Sequence, residues 1–322
     1  MKDISAPTLD APAALYWGEG ITPPEDGKAI WLFPSDGVRL RAAVWPEGRR
    51  GTVVLFQGRT EFIEKYVEPI RRFRDMGFAL ATLDWRGQGL SERPLADRRK
   101  GHVGDFAEYQ RDVDALLAHL ADIQAPKPWI LVAHSMGGGI AARALMRVNS
   151  GPSTQFAGAV LTAPMLEIFG SPGFLTASRA VSSLVGAVGM RKRYALGCDR
   201  KTAAEIGFRD NVLTSDAERF DRYARQVTGE DALALGGPTW GWLRAALRET
   251  ARLEPTRTPM LICIGTDDTV VSTDAAHRFA ADAERAQVAM LAKARHEPFL
   301  ETDAVQEKLW SAIDAFLKDL EI

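Results

Sequence analysis

Ser135 stands where the apolar run Trp129-Ile130-Leu131-Val132-Ala133-His134 gives way to Met136-Gly137-Gly138-Gly139. Such a run reads as a buried strand, and the small residues after it as the tight start of a helix. A serine at this bend can cap the helix with its hydroxyl, for reasons unrelated to chemistry. It can also be a nucleophile, and then it needs three kinds of partner. These are a base within hydrogen-bond reach, an acid to orient that base, and N–H donors for the oxyanion that develops. The pentapeptide Ala133-His134-Ser135-Met136-Gly137 approximates G-x-S-x-G, with Ala133 in the first small position.

The chain has five histidines, His102, His119, His134, His277 and His296. His119 falls inside a helical pattern, and His134 adjoins the serine but is directed away from it along the chain. In the order nucleophile, acid, histidine that accompanies this elbow, His277 and His296 remain. His277 lies in the helical stretch Thr273 to Phe279, which suits a surface residue. His296 follows the last strand-like run, in the loop Lys293 to Pro298, and is the preferred base.

The acid is expected after the apolar run Met260 to Ile264, where the chain reads Gly265-Thr266-Asp267-Asp268-Thr269-Val270-Val271. By chemistry alone Asp267 and Asp268 are equivalent, and either suits a turn. One oxyanion donor is the N–H of Met136. The other belongs in the loop Gln57-Gly58-Arg59-Thr60-Glu61, where Gly58 lets the backbone turn close to the substrate. Arg59 is expected to donate there through its N–H rather than its guanidinium.

The elements that must hold these groups can be read along the chain. Residues 1–27 show no clear period. Ala29 to Phe33 and Val38 to Trp45 read as strands joined by the turn Pro34-Ser35-Asp36-Gly37. Buried strands follow at Thr52 to Gln57, Phe78 to Leu83, Trp129 to Ala133 and Ala157 to Thr162, with helices over Glu61 to Met76, Asp105 to Ile123 and Met136 to Val148. This alternation predicts an α/β fold, a mostly parallel sheet with helices on both faces. The rhythm breaks after Pro164 and resumes with Met260 to Ile264, Asp274 to Arg285, Gln287 to Ala292 and Phe299 to Leu320. The domain reading is a core of residues 1–164 and 238–322 interrupted by a helical cap, residues 165–237.

The 322 residues carry a formal net charge of −2, which gives no electrostatic case for a nucleic-acid partner. Two cysteines, one of them inside the apolar run at Cys263, argue against a disulfide framework and fit a reducing compartment. No basic start followed by an apolar stretch marks a secretory signal, and no run is long enough to span a bilayer. A soluble, cytoplasmic protein is expected. Neither a metal-ligand cluster nor a Gly-x-Gly-x-x-Gly loop is evident, so no cofactor is implied.

With the elbow come further stretches: Gln57-Gly58-Arg59-Thr60-Glu61-Phe62-Ile63-Glu64-Lys65-Tyr66, Asp84-Trp85-Arg86-Gly87-Gln88-Gly89-Leu90-Ser91, Gly101-His102-Val103-Gly104-Asp105-Phe106, Asn211-Val212-Leu213-Thr214-Ser215-Asp216, Thr239-Trp240-Gly241-Trp242-Leu243 and Ala294-Arg295-His296-Glu297. Together they resemble the lysophospholipase L2 and monoacylglycerol-lipase-like α/β-hydrolases grouped with S33 serine aminopeptidases. The resemblance implies a triad of Ser135, Asp268 and His296, an oxyanion hole from Arg59 and Met136, and a cap over the site. Ala133 and Gln57 depart from the commoner Gly and His, and neither change removes a catalytic group. Asp84, Arg86 and Gly87 read as a tied strand-end turn.

The expected reaction is hydrolysis of a lipid monoester, a lysophospholipid or monoacylglycerol, through an acyl-enzyme. Within the cap, Phe169, Phe174 and Leu184 are candidates to hold an acyl chain, and packing of the cap onto the core explains them equally well. Arg191-Lys192-Arg193 offers a peripheral contact with an anionic membrane surface, although a solvated basic patch is the simpler reading. The sequence does not fix the oligomeric state. A proline-iminopeptidase-like aminopeptidase is the rival enzyme, with Glu167, Glu205, Asp210 and Glu218 as candidates to bind a free amine. A non-catalytic binding protein of this fold would lack a triad member, and none is missing.

Overall fold

The computed structural model describes residues 12–148, 155–168 and 170–322, apart from the side chains of Val148, Pro172 and Phe174. Eight strands form one sheet: β1 (Lys28–Leu32), β2 (Leu40–Trp45), β3 (Thr52–Phe56), β4 (Ala79–Leu83), β5 (Trp129–His134), β6 (Phe156–Thr162), β7 (Met260–Gly265) and β8 (Ala286–Leu291). Their spatial order is β1-β2-β4-β3-β5-β6-β7-β8. The pairs β1/β2 and β2/β4 are antiparallel, and every later pair is parallel. The turn between β1 and β2 is closed by the Gly37 N–H donating to the Pro34 carbonyl at 2.9 Å.

Strands buried on both faces carry side chains to two apolar layers. Val54 and Phe56 of β3 point to one layer, shared with α2 (Ala107–Asp122), α3 (Met136–Val148), α7 (Trp240–Thr250) and α8 (Thr273–Asp282). Val53 and Leu55 point to the other, shared with α1 (Val67–Asp75), α9 (Asp303–Asp319) and α6 (Ala217–Gly229).

Between β6 and α7 the chain leaves the sheet and forms α4 (Pro172–Ala187), α5 (Ala203–Ile206) and α6. This segment is anchored in two ways. α4 packs against α7, and α6 sinks Phe220, Tyr223 and Val227 into the second apolar layer.

Three details depart from the sequence reading. The helix expected from Glu61 starts as a single 3-10 turn at Ile63–Tyr66 and becomes α-helical only at Val67. Its entry is held from outside, because the Ile63 N–H donates to Asp84 Oδ1 at 3.0 Å. Pro69 sits in the first turn of α1, where its missing N–H costs no helical bond. The helix expected from Phe299 begins at Asp303, after a short 3-10 turn at Pro298–Leu300. Helix α7 was not anticipated at all, although Thr239 marks its start by accepting from the Trp242 N–H at 3.3 Å.

The tied turn after β4 is built from ion pairs, buried except at Asp36. Arg41 Nε donates to Asp84 Oδ2 at 2.8 Å, and its two terminal nitrogens grip Glu64 at 2.6 and 2.8 Å. Arg86 is held between Asp112 and Asp36, at 2.6 and 2.7 Å. Among the described residues no helix is long and apolar enough to cross a membrane.

Candidate active site

The parallel register places the carboxyl ends of β3 and β5 side by side, with Phe56 opposite Ala133. The loop after β3 and the bend after β5 are therefore neighbours. At that bend Ser135 takes φ +51°, a left-handed conformation that a serine adopts only under constraint. The Ser135 N–H donates to the Thr162 carbonyl at 3.1 Å, and its carbonyl accepts from Gly138 and Met165 at 2.8 and 2.9 Å. Glycine is required behind it, since a Cβ on Gly137 would lie 2.5 Å from the carbonyl oxygens of Phe56 and Gln57. The first turn of α3 can thus press directly on the end of β3. Ala133, fully buried on β5, fits in the first small position.

The structure brings Ser135, His296 and Asp268 into one hydrogen-bonded line. His296 Nε2 lies 2.8 Å from Ser135 Oγ, and His296 Nδ1 lies 2.9 Å from Asp268 Oδ2. The other carboxylate oxygen of Asp268 accepts from the N–H groups of Val270 and Val271, at 2.7 and 3.3 Å. Burial pushes the Asp268 pKa up, but His296 and these N–H donors outweigh it, so the carboxyl lies below its ordinary value. With Nδ1 facing an ionised carboxylate, the proton sits on Nδ1 and leaves Nε2 free to accept from Ser135. Asp267 faces solvent and takes a hydrogen bond from the Thr266 hydroxyl at 2.9 Å. His277 is exposed on α8. The acid and histidine loops meet because Gly265 lacks a side chain, as a Cβ there would lie 2.4 Å from the Ala294 carbonyl oxygen.

A cavity of about 290 Å³ opens over this line, and Arg59 and Met136 both border it. Most of its wall is apolar, from Met165, Ile168, Leu213, Trp242, Val270 and Val271. The other expected substrate contacts fall elsewhere. Gly58 is one step behind the wall, its N–H spent on the Glu61 carboxylate and its carbonyl on Gln88 Nε2 at 2.7 Å. Leu184 is 67% exposed on α4 and does not reach the cavity, because α4 turns this side away from the core. Phe169 and the Phe174 side chain lie outside the described residues. His102 is half-buried and does not border this cavity, with Nδ1 2.7 Å from the Thr239 hydroxyl.

Beneath the triad lies a charged network that the sequence reading missed. Lys65 Nζ donates to Glu61 at 3.0 Å and to Glu297 at 2.6 Å, all three buried. Tyr66 also donates to Glu61, at 2.5 Å. Burial alone would lower the Lys65 pKa, but Glu297 and Glu61 hold it above the ordinary value. Glu61 opposes the same burial cost with Lys65, His134 and Tyr66, and drops to about 2. Glu297 bears the burial cost less compensated and is raised. The Glu61/Lys65 spacing of four residues is a helical ion-pair signal. Nothing in the chain tied residue 61 to residue 297.

His134 completes this floor. Its Nδ1 lies 3.1 Å from the Thr162 carbonyl, which can only accept, so Nδ1 carries the proton. Burial depresses its pKa to about 4, which keeps the ring neutral. Glu61, His134 and Glu297 form the one group of three potential metal ligands among the described residues. The Lys65 ammonium between the two carboxylates already supplies the positive charge that a metal would bring.

Residues 47–303 match the family model described as serine aminopeptidase, S33. The chain is 32% identical over 299 residues to lysophospholipase L2 of Escherichia coli, covering 88% of this chain and 84% of that one. It is 35% identical to the monoacylglycerol lipase of Mycolicibacterium smegmatis over 106 residues, covering 32% of this chain and 36% of that one. Among solved structures, a soluble variant of the monoglyceride lipase of Saccharomyces cerevisiae superposes with a TM-score of 0.69 at 20% identity, over 96% of this chain and 99% of that one. A carboxyl esterase from Bacillus coagulans gives 0.72 at 16% identity, over 93% and 100%. The sheet order, the serine bend and the matched length lead to one conclusion: this chain has the α/β-hydrolase fold and belongs to the serine aminopeptidase S33 family.

Proposed function

We propose that the protein is a carboxylic ester hydrolase acting on lipid monoesters of the lysophospholipid or monoacylglycerol type, with Ser135 as nucleophile. The observation that carries this reading is the line Ser135–His296–Asp268, at 2.8 and 2.9 Å, opening on a largely apolar cavity. His296 takes the Ser135 proton as Oγ attacks the ester carbonyl. The tetrahedral oxyanion is met by the backbone N–H groups of Met136 and Arg59. His296 then protonates the leaving alcohol, and water, deprotonated by the same histidine, releases the acid and restores Ser135. Asp268 holds the imidazole and stabilises its charged form.

The apolar wall suits an acyl chain, since each buried CH₂ contributes roughly 0.8 kcal/mol. Residues 165–237 act as a cap in this reading, supplying Met165, Ile168, Val212 and Leu213 to the wall. Peripheral membrane contact belongs to the same proposal. Val181 and Val188 are 44% and 62% exposed on and just beyond α4, and the basic run Arg191-Lys192-Arg193 follows.

Removal of an N-terminal residue fits less well. Glu167 pairs with Arg278, Glu205 caps α5 and pairs with Arg99, and Asp210 and Glu218 face solvent. None of the four borders the cavity, and the two glutamates that do, Glu61 and Glu297, share Lys65. The test compares wild type with Ser135→Ala on p-nitrophenyl esters of rising chain length, lysophosphatidylcholine, monoacylglycerol and an aminoacyl anilide. Ester turnover is expected to fall by at least about 10³-fold in the variant. Full activity in Ser135→Ala, or turnover of the anilide alone, refutes the reading.

A further inference from the structure

Arg59 borders the cavity beside Ser135 and carries a charged side chain with no carboxylate partner among the described residues. Asp268 faces His296, Glu61 and Glu297 share Lys65, and His134 is neutral. Arg59 differs. Its Nη1 donates to the Gly236 carbonyl at 3.0 Å, and the guanidinium lies over the Trp242 indole, 5.5 Å from the ring centre. The groups that help to hold its charge are Cys198, Tyr109 and Tyr223, none of them a carboxylate, and burial pushes its pKa below the ordinary value.

An uncompensated cation against an apolar wall is costly, so its retention calls for an anionic partner. Nη1 is engaged, while among the described residues no hydrogen bond takes up Nε or Nη2. These two edges form the planar fork that matches two oxygens of a phosphate. A carboxylate of the protein would have closed this fork permanently. Its absence leaves the charge available to a ligand that enters the cavity.

We propose that the Arg59 guanidinium recognises an anionic phosphate on the leaving alcohol, so that the site prefers glycerophosphate-type monoacyl esters over neutral monoacylglycerols. This rests on the reading of Ser135 as the nucleophile toward lipid monoesters. The placement has a mechanistic consequence. Arg59 carries the proposed oxyanion donor on its backbone and the phosphate fork on its side chain. A phosphate seated on the fork therefore fixes the ester carbonyl relative to the oxyanion hole. The competing role for Arg59 is a clamp that ties the loop after β3 to Gly236 and Trp242.

The two roles separate by substrate class. Wild type, Arg59→Lys and Arg59→Met are compared on lysophosphatidylcholine, a 1-acylglycerol 3-phosphate and the monoacylglycerol of the same acyl chain. In Arg59→Met the ratio of kcat/KM for phosphate esters over the neutral ester is expected to fall about tenfold or more, the scale of one charge-assisted hydrogen bond. Arg59→Lys is expected to retain part of that ratio. An equal loss on both classes, or an unchanged ratio, overturns the proposal and leaves the clamp.

A second arm uses p-nitrophenyl butyrate with glycerophosphocholine, glycerol 3-phosphate and inorganic phosphate as competitors. Competition by the glycerol compounds that is lost in Arg59→Met supports the assignment. Inorganic phosphate competing as strongly as either overturns the leaving-group assignment in favour of a free-phosphate site. If wild type cleaves no ester, the Ser135 reading fails on its own. Calorimetric binding of glycerol 3-phosphate then decides the matter for Arg59: binding lost in Arg59→Met supports the site, and binding absent from wild type or equal in both overturns it.

Discussion

Asp267 and Asp268 are chemically alike and adjacent, yet their surroundings differ. Asp268 is 8% exposed, faces His296 and accepts from two backbone N–H groups, whereas Asp267 faces solvent. Asp268→Asn replaces an acceptor with a group that can turn a donor toward Nδ1, which favours the wrong tautomer. It is expected to lower kcat on p-nitrophenyl butyrate by up to about 10⁴-fold. Asp267→Asn is expected to stay within about threefold, in line with the small effects of exposed substitutions. A larger loss at Asp267 would reverse the assignment.

His134 gives a second residue-scale test, through stability. Its folded pKa of about 4 lies below its ordinary 6.5. Between these values the unfolded chain binds the proton and the folded protein does not. His134 therefore contributes stability above pH 6.5 that is lost as pH falls toward 4, up to about 3 kcal/mol for a shift of this size. Urea denaturation from pH 7.5 to 4 should show this slope in wild type and lack it in His134→Gln. Parallel curves for the two proteins would mean that His134 is not the group responsible.

At the scale of elements, the loop after β3, the first turn leading into α1 and the histidine loop are fastened by Lys65. The ammonium joins Glu61, 4 positions before Lys65, to Glu297, 232 positions after it. Lys65→Met would leave two buried carboxylates without their cation. Breaking a buried pair in this way costs about 3–5 kcal/mol. The chemical-denaturation midpoint is expected to fall accordingly, and kcat with it, because Glu297 adjoins His296. A stability loss below about 1 kcal/mol would show that water or a proton replaces the ammonium without difficulty.

The strands were the most legible elements, because runs such as Val53-Val54-Leu55 and Ile130-Leu131-Val132 are buried on both faces and leave little else for the backbone to do. Helix boundaries were less legible. The entry to α1 is set by Asp84, which lies at the end of another strand, and α7 starts at Thr239, whose hydroxyl accepts from the Trp242 N–H, a local cap that neither periodicity nor apolar content reveals.

For the molecule as a whole, the segment between β6 and α7 is partly core and partly surface. α6 is sunk in the second apolar layer, while α4 and the residues just after it expose Val181 and Val188. An exposed apolar face followed by basic residues is the pattern of interfacial binding. Val181→Asp with Val188→Asp is expected to lower the fraction bound to vesicles of anionic phospholipid severalfold. Thermal stability should change little, since both residues are exposed. Binding unaffected by the pair would remove this surface from the membrane proposal.

The order of motifs along the chain singled out Ser135, His296 and the pair Asp267/Asp268 as candidates, because an apolar run ending in a turn residue marks a strand's carboxyl end whatever its partners are. Sequence alone also delivered the α/β class, since that depends on local periodicity. Choosing Asp268 by its own chemistry required the tertiary structure, which alone shows which carboxylate faces the imidazole. Leu184 lies outside the cavity for a similar reason: apolar character does not reveal which side of α4 meets the core. The Lys65 bridge and the unbalanced charge of Arg59 were invisible in the chain, because both are defined by what long-range folding brings, or fails to bring, within about 4 Å of a charge.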